Sequence, residues 1–231
     1  MHAGIISSLM SIIEYIRQLL LSVTFLLMLA CNINGQEKGI YINEILASNI
    51  SSDFDQATND YPDWIELHNS GTAVLSLGGY YLTNDPGNKK MWKIPPGAEV
   101  APGGFISFWA DESDMAGHTN FNLNKEKGFI GLFNELGAVV DSFSFGFQVR
   151  DISFGRTGAG GEILAYFSRP TKDAANSLSY YSSISGRPEF SLSGGIYNDN
   201  QEVALSTEGS TAAIYYTING EEPDSLSSKY S

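Results

Sequence analysis

An acidic loop between residues 53 and 63 holds the side chains best suited to chemistry. Asp53, Asp55, Asp60 and Asp63 supply carboxylates there, and Asn59 supplies an amide oxygen. Hard divalent cations such as Ca²⁺ take several oxygen ligands from a loop of this kind. We therefore predict a calcium site with Asp53, Asp55 and Asp60 as its ligands, and no other cofactor. The spacing is not that of an EF-hand, and solvated acids held in Asx turns are the alternative interpretation.

Catalytic residues are harder to find, because the body of the chain has only two histidines, His68 and His118. The Gly-x-Ser-x-Gly and His-Glu-x-x-His motifs of serine and zinc hydrolases do not occur. A Ser/His/Asp triad assembled in space around His118, with Asp111 or Asp114 as its acid, stays open, against the simpler interpretation that His118 fixes a long loop by hydrogen bonds. Asp63 and Glu66 lie three residues apart on a strand and so point to opposite faces. We predict no catalytic residue.

Arg156 and the three tryptophans each have a structural and a binding interpretation. Arg156 is expected to form a structural ion pair with a carboxylate such as Asp151, in preference to binding an anionic ligand. Trp64, Trp92 and Trp109 would form a platform for sugar rings if they were exposed on one face. Packing in the core is the more common role for tryptophan in a β-sandwich.

The charge balance excludes one class of partner. The 231 residues include 13 Lys and Arg against 26 Asp and Glu, a formal net charge of −13. This excess of negative charge repels phosphate backbones and anionic lipid surfaces, so we expect no nucleic-acid partner. The hydrophobic share of 42% is enough for one or two globular domains.

Residues 1–35 are predicted to be an export signal. An apolar block over 19–30 follows Arg17, which is typical of a signal peptide and too short to cross a bilayer. Two processing routes stay open: cleavage after Gly35, or acylation of Cys31 as in a lipoprotein. Only the second route would attach the protein to a membrane. Because Cys31 is the single cysteine, no disulfide framework is expected.

The body of the chain is predicted to be all-β. No window after residue 40 repeats apolar residues with helical spacing. Instead, short runs rich in β-branched and aromatic residues alternate with Gly- and Pro-rich turns, which favours a β-sandwich. The runs are 40–47, 64–69, 79–84, 90–94, 104–110, 129–133, 138–145 and 163–168. The glycine-rich stretch 158–161 is predicted to be a hairpin turn, and Asn219-Gly220 a type I′ turn.

An ordered set of short motifs resembles the lamin tail domain. The motifs are INEI at 42–45, DYPDWIEL at 60–67, GYYLT at 79–83, WAD at 109–111, HTNF at 118–121, GR at 155–156, PT at 170–171 and AANS at 174–177. The resemblance implies one immunoglobulin-like β-sandwich over residues 38–178. Lys172-Asp173 departs from the family pattern, which has Pro-Gly there. Filament assembly is not implied, since the coiled-coil rod of lamins is absent from this sequence.

A second module follows a linker at 179–186. Residues 187–231 resemble the C-terminal module of chitobiase and β-hexosaminidase, another β-sandwich, in the segments 188–191, 194–197, 203–206 and 213–223. A sandwich of this kind needs closer to about 100 residues. We therefore expect 187–231 to be a truncated module.

The resemblance to the lamin tail domain identifies a fold more securely than an activity. We expect a non-catalytic, exported protein that binds or positions a glycan or protein of a bacterial cell envelope, in the periplasm or outside the cell. The alternative is the N-terminal targeting region of a larger extracellular enzyme, a spore-coat-H-like kinase or a hydrolase, with its catalytic domain beyond residue 231. The DNA downstream of that residue would separate the two hypotheses.

Overall fold

A computed structural model describes residues 39–113, 115–158, 161, 163–207, 212–221 and 223–230. All regular structure within these ranges is β-strand, which confirms the predicted all-β class. No helix in the described part of the chain is long and apolar enough to cross a membrane. The predicted export signal, with Cys31, lies outside the described residues. The chain divides into two compact units between Tyr180 and Tyr181.

The first unit contains two main sheets. Its strands are β1 (Ile40–Leu46), β2 (Asp63–Asn69), β3 (Leu75–Ser76), β4 (Tyr81–Thr83), β5 (Trp92–Lys93), β6 (Glu99–Val100), β7 (Phe105–Ala110), β8 (His118–Thr119), β9 (Gly128–Phe133), β10 (Val139–Phe145), β11 (Ser153–Arg156) and β12 (Leu164–Phe167). One sheet has the order β12-β11-β1-β2-β7-β8 and the other has the order β10-β9-β4-β5. Strands β3 and β6 form a small separate ribbon. The pairing is antiparallel except between β7 and β8, which run parallel.

The two sheets pack face to face through aromatic and aliphatic side chains. The rings of Trp92 and Phe108 meet edge to face at 5.2 Å, and those of Phe143 and Phe154 at 5.9 Å. Alternation along β2 places Ile65 on this inner face, and its side chain is fully buried. Each such apolar side chain contributes roughly 1.5–3 kcal/mol when it leaves water. This interior is the core of the first unit.

All eight runs predicted from the sequence contain a strand, whereas four strands of the first unit, β3, β6, β8 and β11, were not predicted. Strand β11 matters most, because it pairs with β1 on one side and with β12 on the other. It is only four residues long and contains Gly155, which weakens a strand signal. A Cβ on Gly155 would stand 2.8 Å from Glu44 Cα and closer still to the carbonyl oxygen of Asn43. Only glycine lets β1 and β11 approach this closely.

Strands β11 and β12 form a hairpin, and Gly161 N donates to Gly158 O at 3.3 Å, as the predicted turn at 158–161 requires; its residues 159 and 160 lie outside the described residues. After β12 the chain continues into residues 170–176, which we call the strap. Ala174 N donates to Thr171 O at 2.9 Å, and Asp173 adopts a left-handed φ of 64°. Asp is one of the few residues other than Gly that tolerate this region. The tight turn therefore forms although Lys172-Asp173 replaces Pro-Gly.

The second unit contains two separate ribbons of β-structure. They pair β13 (Glu189–Phe190) with β14 (Leu205–Ser206), and β15 (Tyr215–Tyr216) with β16 (Ser228–Lys229). None of the residues described in this unit is buried. The type I′ turn predicted at Asn219-Gly220 is wrong: within that pair only Gly220 has a positive φ, of 83°, and β15 pairs with a strand much further along the chain.

Candidate functional site

The outer face of the larger sheet carries the polar side chains that the motifs contain. Glu44 on β1 lies directly opposite Glu66 on β2, and both are completely buried. A β-bulge between Ile42 and Glu44 accommodates Asn43. The strap covers this face, so the two glutamates lie between the sheet and the strap. We call Glu44 and Glu66 the buried glutamate pair.

Glu44 receives its hydrogen bonds from β11 and the strap. The hydroxyl of Ser153 donates to Oε1, and Oε2 accepts from Thr171 Oγ1 at 2.8 Å and from Thr171 N at 3.2 Å. Burial raises the pKa of Glu44 to about 7, although these hydrogen bonds favour the charged form. The carboxyl therefore holds the strap at its first turn.

Glu66 holds the strap at a second point. Its Oε1 accepts from Asn43 Nδ2 at 2.7 Å, and its Oε2 accepts from the backbone N–H of Asp173 and from Ser107 Oγ at 3.5 Å. Burial is the largest influence on this carboxyl, and the neighbouring Glu44 adds to it, so the pKa of Glu66 rises to about 8. Both motif glutamates thus bond to protein groups.

Asn176 completes the attachment of the strap. Its Oδ1 accepts from Asn43 Nδ2 at 2.7 Å, and its Nδ2 donates to the carbonyl of Arg156 at 2.8 Å. Asn176 is 8% exposed and is the one residue of the strap that is buried. The sequence motifs contain both Asn43 and Asn176, but nothing local in the sequence indicates that they meet across 133 positions.

His118 lies between two carboxylates and is 2% exposed. Its Nδ1 bonds to Asp111 Oδ2 at 2.8 Å, and its Nε2 is 3.7 Å from Asp55 Oδ2. In a Ser/His/Asp triad the second ring nitrogen would face a hydroxyl. Here the nearby hydroxyl, Ser113 Oγ, donates to Asp111 at 2.8 Å. This geometry agrees with the interpretation that His118 fixes the loop, because among the described residues Nε2 faces a carboxylate where a triad would place a hydroxyl.

His68 lies among aromatic side chains. Its ring stacks on Phe105 at 4.3 Å, and its Nδ1 shares a hydrogen bond with the hydroxyl of Tyr41. Burial lowers the pKa of His68. A neutral imidazole packed in this way serves the structure of the sheet.

The three residues predicted to bind calcium have partners in the protein. Asp53 Oδ2 accepts from the indole of Trp64 at 3.1 Å, and Asp60 Oδ1 accepts from the N–H of Tyr61 at 2.8 Å. Asp55 and Asp60 come together in an isolated β-bridge. Among the described residues, no group of three or more His, Cys, Asp or Glu side chains is arranged to hold a metal ion. Calcium binding stays a prediction.

Asp55 is also the acceptor of a local turn. Thr58 donates to it from Oγ1 at 2.6 Å and from N at 2.9 Å, and Ala57 N donates at 3.1 Å. Burial opposes the charged form, but these hydrogen bonds and His118 outweigh it and keep the pKa of Asp55 below its ordinary value. This is the Asx turn that the alternative interpretation expected.

Arg156 forms an ion pair, but with a different partner from the one predicted. Its Nη2 is 2.6 Å from Asp141 Oδ1. Asp151 instead accepts from Ile50 N at 2.8 Å and from Ser51 Oγ at 2.7 Å. Asp151 is nearer to Arg156 in the chain, whereas the packing of the two sheets decides which carboxylate is near in space.

The tryptophans do not form an exposed platform. Trp64 is completely buried and Trp92 is 5% exposed. Trp109 is half-buried, and Lys172 Nζ lies 4.7 Å from its ring centroid. Tryptophan in the first unit therefore serves packing.

The second unit carries an aromatic concavity that the sequence did not indicate. A cavity of about 560 Å³ opens between its two ribbons. Aromatic and aliphatic side chains line it, among them Phe190, Leu205, Tyr215, Tyr216 and Tyr230. Phe190 is 67% exposed and Tyr216 is 40% exposed, so their rings are accessible from solvent.

Comparison with known proteins agrees with this architecture. Residues 34–147 match the family model of the Lamin Tail Domain. Residues 192–231 match the Chitobiase/beta-hexosaminidase C-terminal domain. No curated protein matches the chain. The first match ends before β11 and β12, which belong to the same sheet as β1.

The lamin tail domain is an immunoglobulin-like β-sandwich, and this confirms the predicted fold. The two matches together indicate a module that binds carbohydrate or protein. By the matched ranges, residues 34–147 are similar to the lamin tail domain, and residues 192–231 are similar to the chitobiase/β-hexosaminidase C-terminal domain.

Proposed function

We propose that this chain is an exported, non-catalytic protein that binds or positions a component of a bacterial cell envelope. The first unit serves as a rigid scaffold, and the second unit carries the recognition surface. The partner is a glycan or a protein of the envelope.

One observation supports the non-catalytic part of this proposal: Glu44, Glu66 and His118, the acid and base groups of the motifs, are enclosed in the first unit. Glu44 and Glu66 are 0% exposed and His118 is 2% exposed. A general acid or base has to come within hydrogen-bonding reach of the proton that it transfers. These three side chains bond instead to the strap and to neighbouring loops, where they stabilise the fold.

The cavity of the second unit supports the binding part. Ligand sites are usually concave, with volumes of about 300–1,000 Å³ and linings rich in aromatic side chains. The 560 Å³ cavity has this size and lining. Rings such as Phe190 and Tyr216 offer flat apolar faces, and Tyr216 adds a hydroxyl that can hydrogen-bond to a glycan or a peptide.

Two features support export. Domains of these two types are typical of extracellular proteins. The apolar block at 19–30 has the length and the flanking charge of a signal peptide. Mass spectrometry of the mature N-terminus checks this proposal. An acylated Cys31 or a new terminus at Gln36 supports export, and an intact Met1 in the native host contradicts it.

Binding is tested with the purified full chain on a glycan array and in pull-downs from envelope fractions. We expect capture of a defined envelope glycan or protein, and we expect the double variant Phe190→Ser, Tyr216→Ser to lose it. Leu136→Ser is the matched control, because Leu136 is 89% exposed in the first unit and lines no part of the cavity. Equal capture by the double variant, or no capture by the unchanged protein, would contradict the proposal.

A further inference from the structure

The strap is held almost entirely by polar contacts. Its apolar residues Pro170, Ala174 and Ala175 are not buried. The hydrogen bonds from Thr171 and Asp173 run into the buried glutamate pair, whereas Asn176 bonds to Asn43 and Arg156, and Ser107 Oγ donates to Asp173 Oδ1 at 2.7 Å. Segments with little buried apolar surface open at low free energy without unfolding the domain. The part of the attachment made by Thr171 and by the N–H of Asp173 therefore depends on the state of two carboxyl groups.

No described cation faces the buried glutamate pair. The side chains of β7 and β11 that reach it are hydroxyls. From the strap, Lys172 Nζ points to Asp173 Oδ2 at 2.9 Å and to the ring of Trp109. The guanidinium of Arg156 bonds to Asp141. The contact of Arg156 with Asn176 is made by its backbone carbonyl and not by its side chain.

The charged groups that do act on the pair are acidic. Asp173 lies beside Glu66, and Asp53 acts on Glu44 from the acidic loop. Two ionised carboxylates without a counter-ion are expensive to keep in a dry site. With both carboxyls charged, Glu44, Glu66 and Asp173 would repel one another across the contact that attaches the strap. Opening of the strap would admit water to both glutamates and relieve this cost.

We propose that the strap is a pH-controlled latch: it is closed while Glu44 and Glu66 carry protons and opens when they lose them. The closed form prevails in mildly acidic solution. The open form gains population as pH rises above neutrality, while the rest of the sandwich stays folded. The raised pKa values of both glutamates, about 7 and about 8, agree with this range.

Hydrogen exchange on the full chain, read by mass spectrometry, tests the latch. Protection factors, corrected for the intrinsic exchange rate, are compared at pH 6 and pH 9 for a peptide covering the strap. We expect protection there to fall by about tenfold or more, on the scale of local opening. A peptide covering β9 and β10 is the internal control and should keep its protection. Equal protection of the strap at the two pH values would overturn the proposal.

Two variants distinguish the latch from a general destabilisation of the protein at alkaline pH. Glu66→Gln removes one ionisable group. The strap of this variant should lose less protection between pH 6 and pH 9 than the strap of the unchanged protein. Asp173→Asn removes the charge facing Glu66 and keeps a residue that tolerates φ of 64°. Asp173→Asn should also reduce the loss of strap protection between pH 6 and pH 9. If Glu66→Gln does not fold, the result for Asp173→Asn tests the proposal. If a folded variant lost as much strap protection between pH 6 and pH 9 as the unchanged protein, that result would contradict the latch.

Discussion

Arg156 on β11 and Asp141 on β10 join the two sheets of the sandwich by an ion pair of 2.6 Å. The two side chains are 14% and 15% exposed. Asp141 Oδ2 also accepts from the backbone N–H of Ile42 at 2.8 Å, so one carboxylate holds strands of both sheets. The guanidinium lies 5.5 Å from the ring of Tyr41.

Replacing Arg156 should therefore destabilise the first unit strongly. We expect Arg156→Met to lower the free energy of unfolding by about 3 kcal/mol, because it leaves the mostly buried carboxylate of Asp141 without its partner. Urea denaturation followed by tryptophan fluorescence measures this. Lys172→Met is the matched control: its partner Asp173 is 57% exposed, and loss of such a pair costs about 1 kcal/mol or less. Equal losses in the two variants would contradict the assignment.

Gly155 should not tolerate even one added methyl group. Its Cβ would stand 2.8 Å from Glu44 Cα, and both atoms belong to paired backbones that cannot move apart cheaply. We expect Gly155→Ala to cost about 3 kcal/mol in thermal or chemical unfolding. Gly146→Ala is the matched control, since nothing lies within 4 Å of its Cβ position and its φ is not left-handed. Gly146→Ala should change the free energy of unfolding by no more than about 0.5 kcal/mol.

Asp63 should make the first unit less stable as pH rises. Burial raises the pKa of Asp63 from 3.8 to about 7, although one hydrogen bond from Asn49 N acts to lower it. The contribution of Asp63 to the free energy of unfolding is thus fully present below about pH 4 and is lost as pH rises through about 7. We expect Asp63→Asn to raise the free energy of unfolding at pH 8 by about 2 kcal/mol and to have little effect at pH 4.

Asp151 provides the control of opposite sign. Burial opposes its charge, but hydrogen bonds from Ile50 and Ser51 outweigh it and keep its pKa below the ordinary value. Its contribution is present above about pH 4 and is lost as pH falls through its folded pKa. Asp151→Asn should therefore destabilise the protein at pH 8. A gain in stability from both Asn variants at pH 8 would contradict the assigned directions.

His118 should affect stability and no chemical activity. We expect His118→Gln to cost about 2 kcal/mol, because Asp111 and Asp55 then lose the imidazole between them. Esterase, peptidase and glycosidase substrates measure activity alongside the denaturation curve. Ser113→Ala is the control, since it removes only one hydrogen bond to Asp111. A hydrolytic activity that His118→Gln abolishes in folded protein would show that the domain is an enzyme.

Much of the fold was predictable because strand structure depends on local pattern. Alternation with a period of two indicates which side chains share a face, and glycine and proline mark where the chain reverses. This alternation places Ile65 and Leu67 on one face of β2, and both are fully buried. The order of motifs identified the lamin tail domain, which a single motif could not do.

The acidic pattern of the sequence gives less information about a site than about the fold. Carboxylates clustered in a loop suit a calcium ion, an Asx turn or a core hydrogen bond equally well. Asp55 receives N–H groups from its own turn and also faces His118 from another loop. Only the path of the chain shows which of these groups a carboxylate meets.

Long-range pairing is what the tertiary structure alone decided. Register across β1, β2 and β11 brings Glu44 opposite Glu66, and the strap reaches Glu44 from 127 positions away. The same register gives Arg156 a partner on β10 in place of the nearer Asp151. Local composition carries no information about such contacts, because they depend on how whole strands align. Burial then raises the pKa of side chains that would be ordinary surface acids in an extended chain.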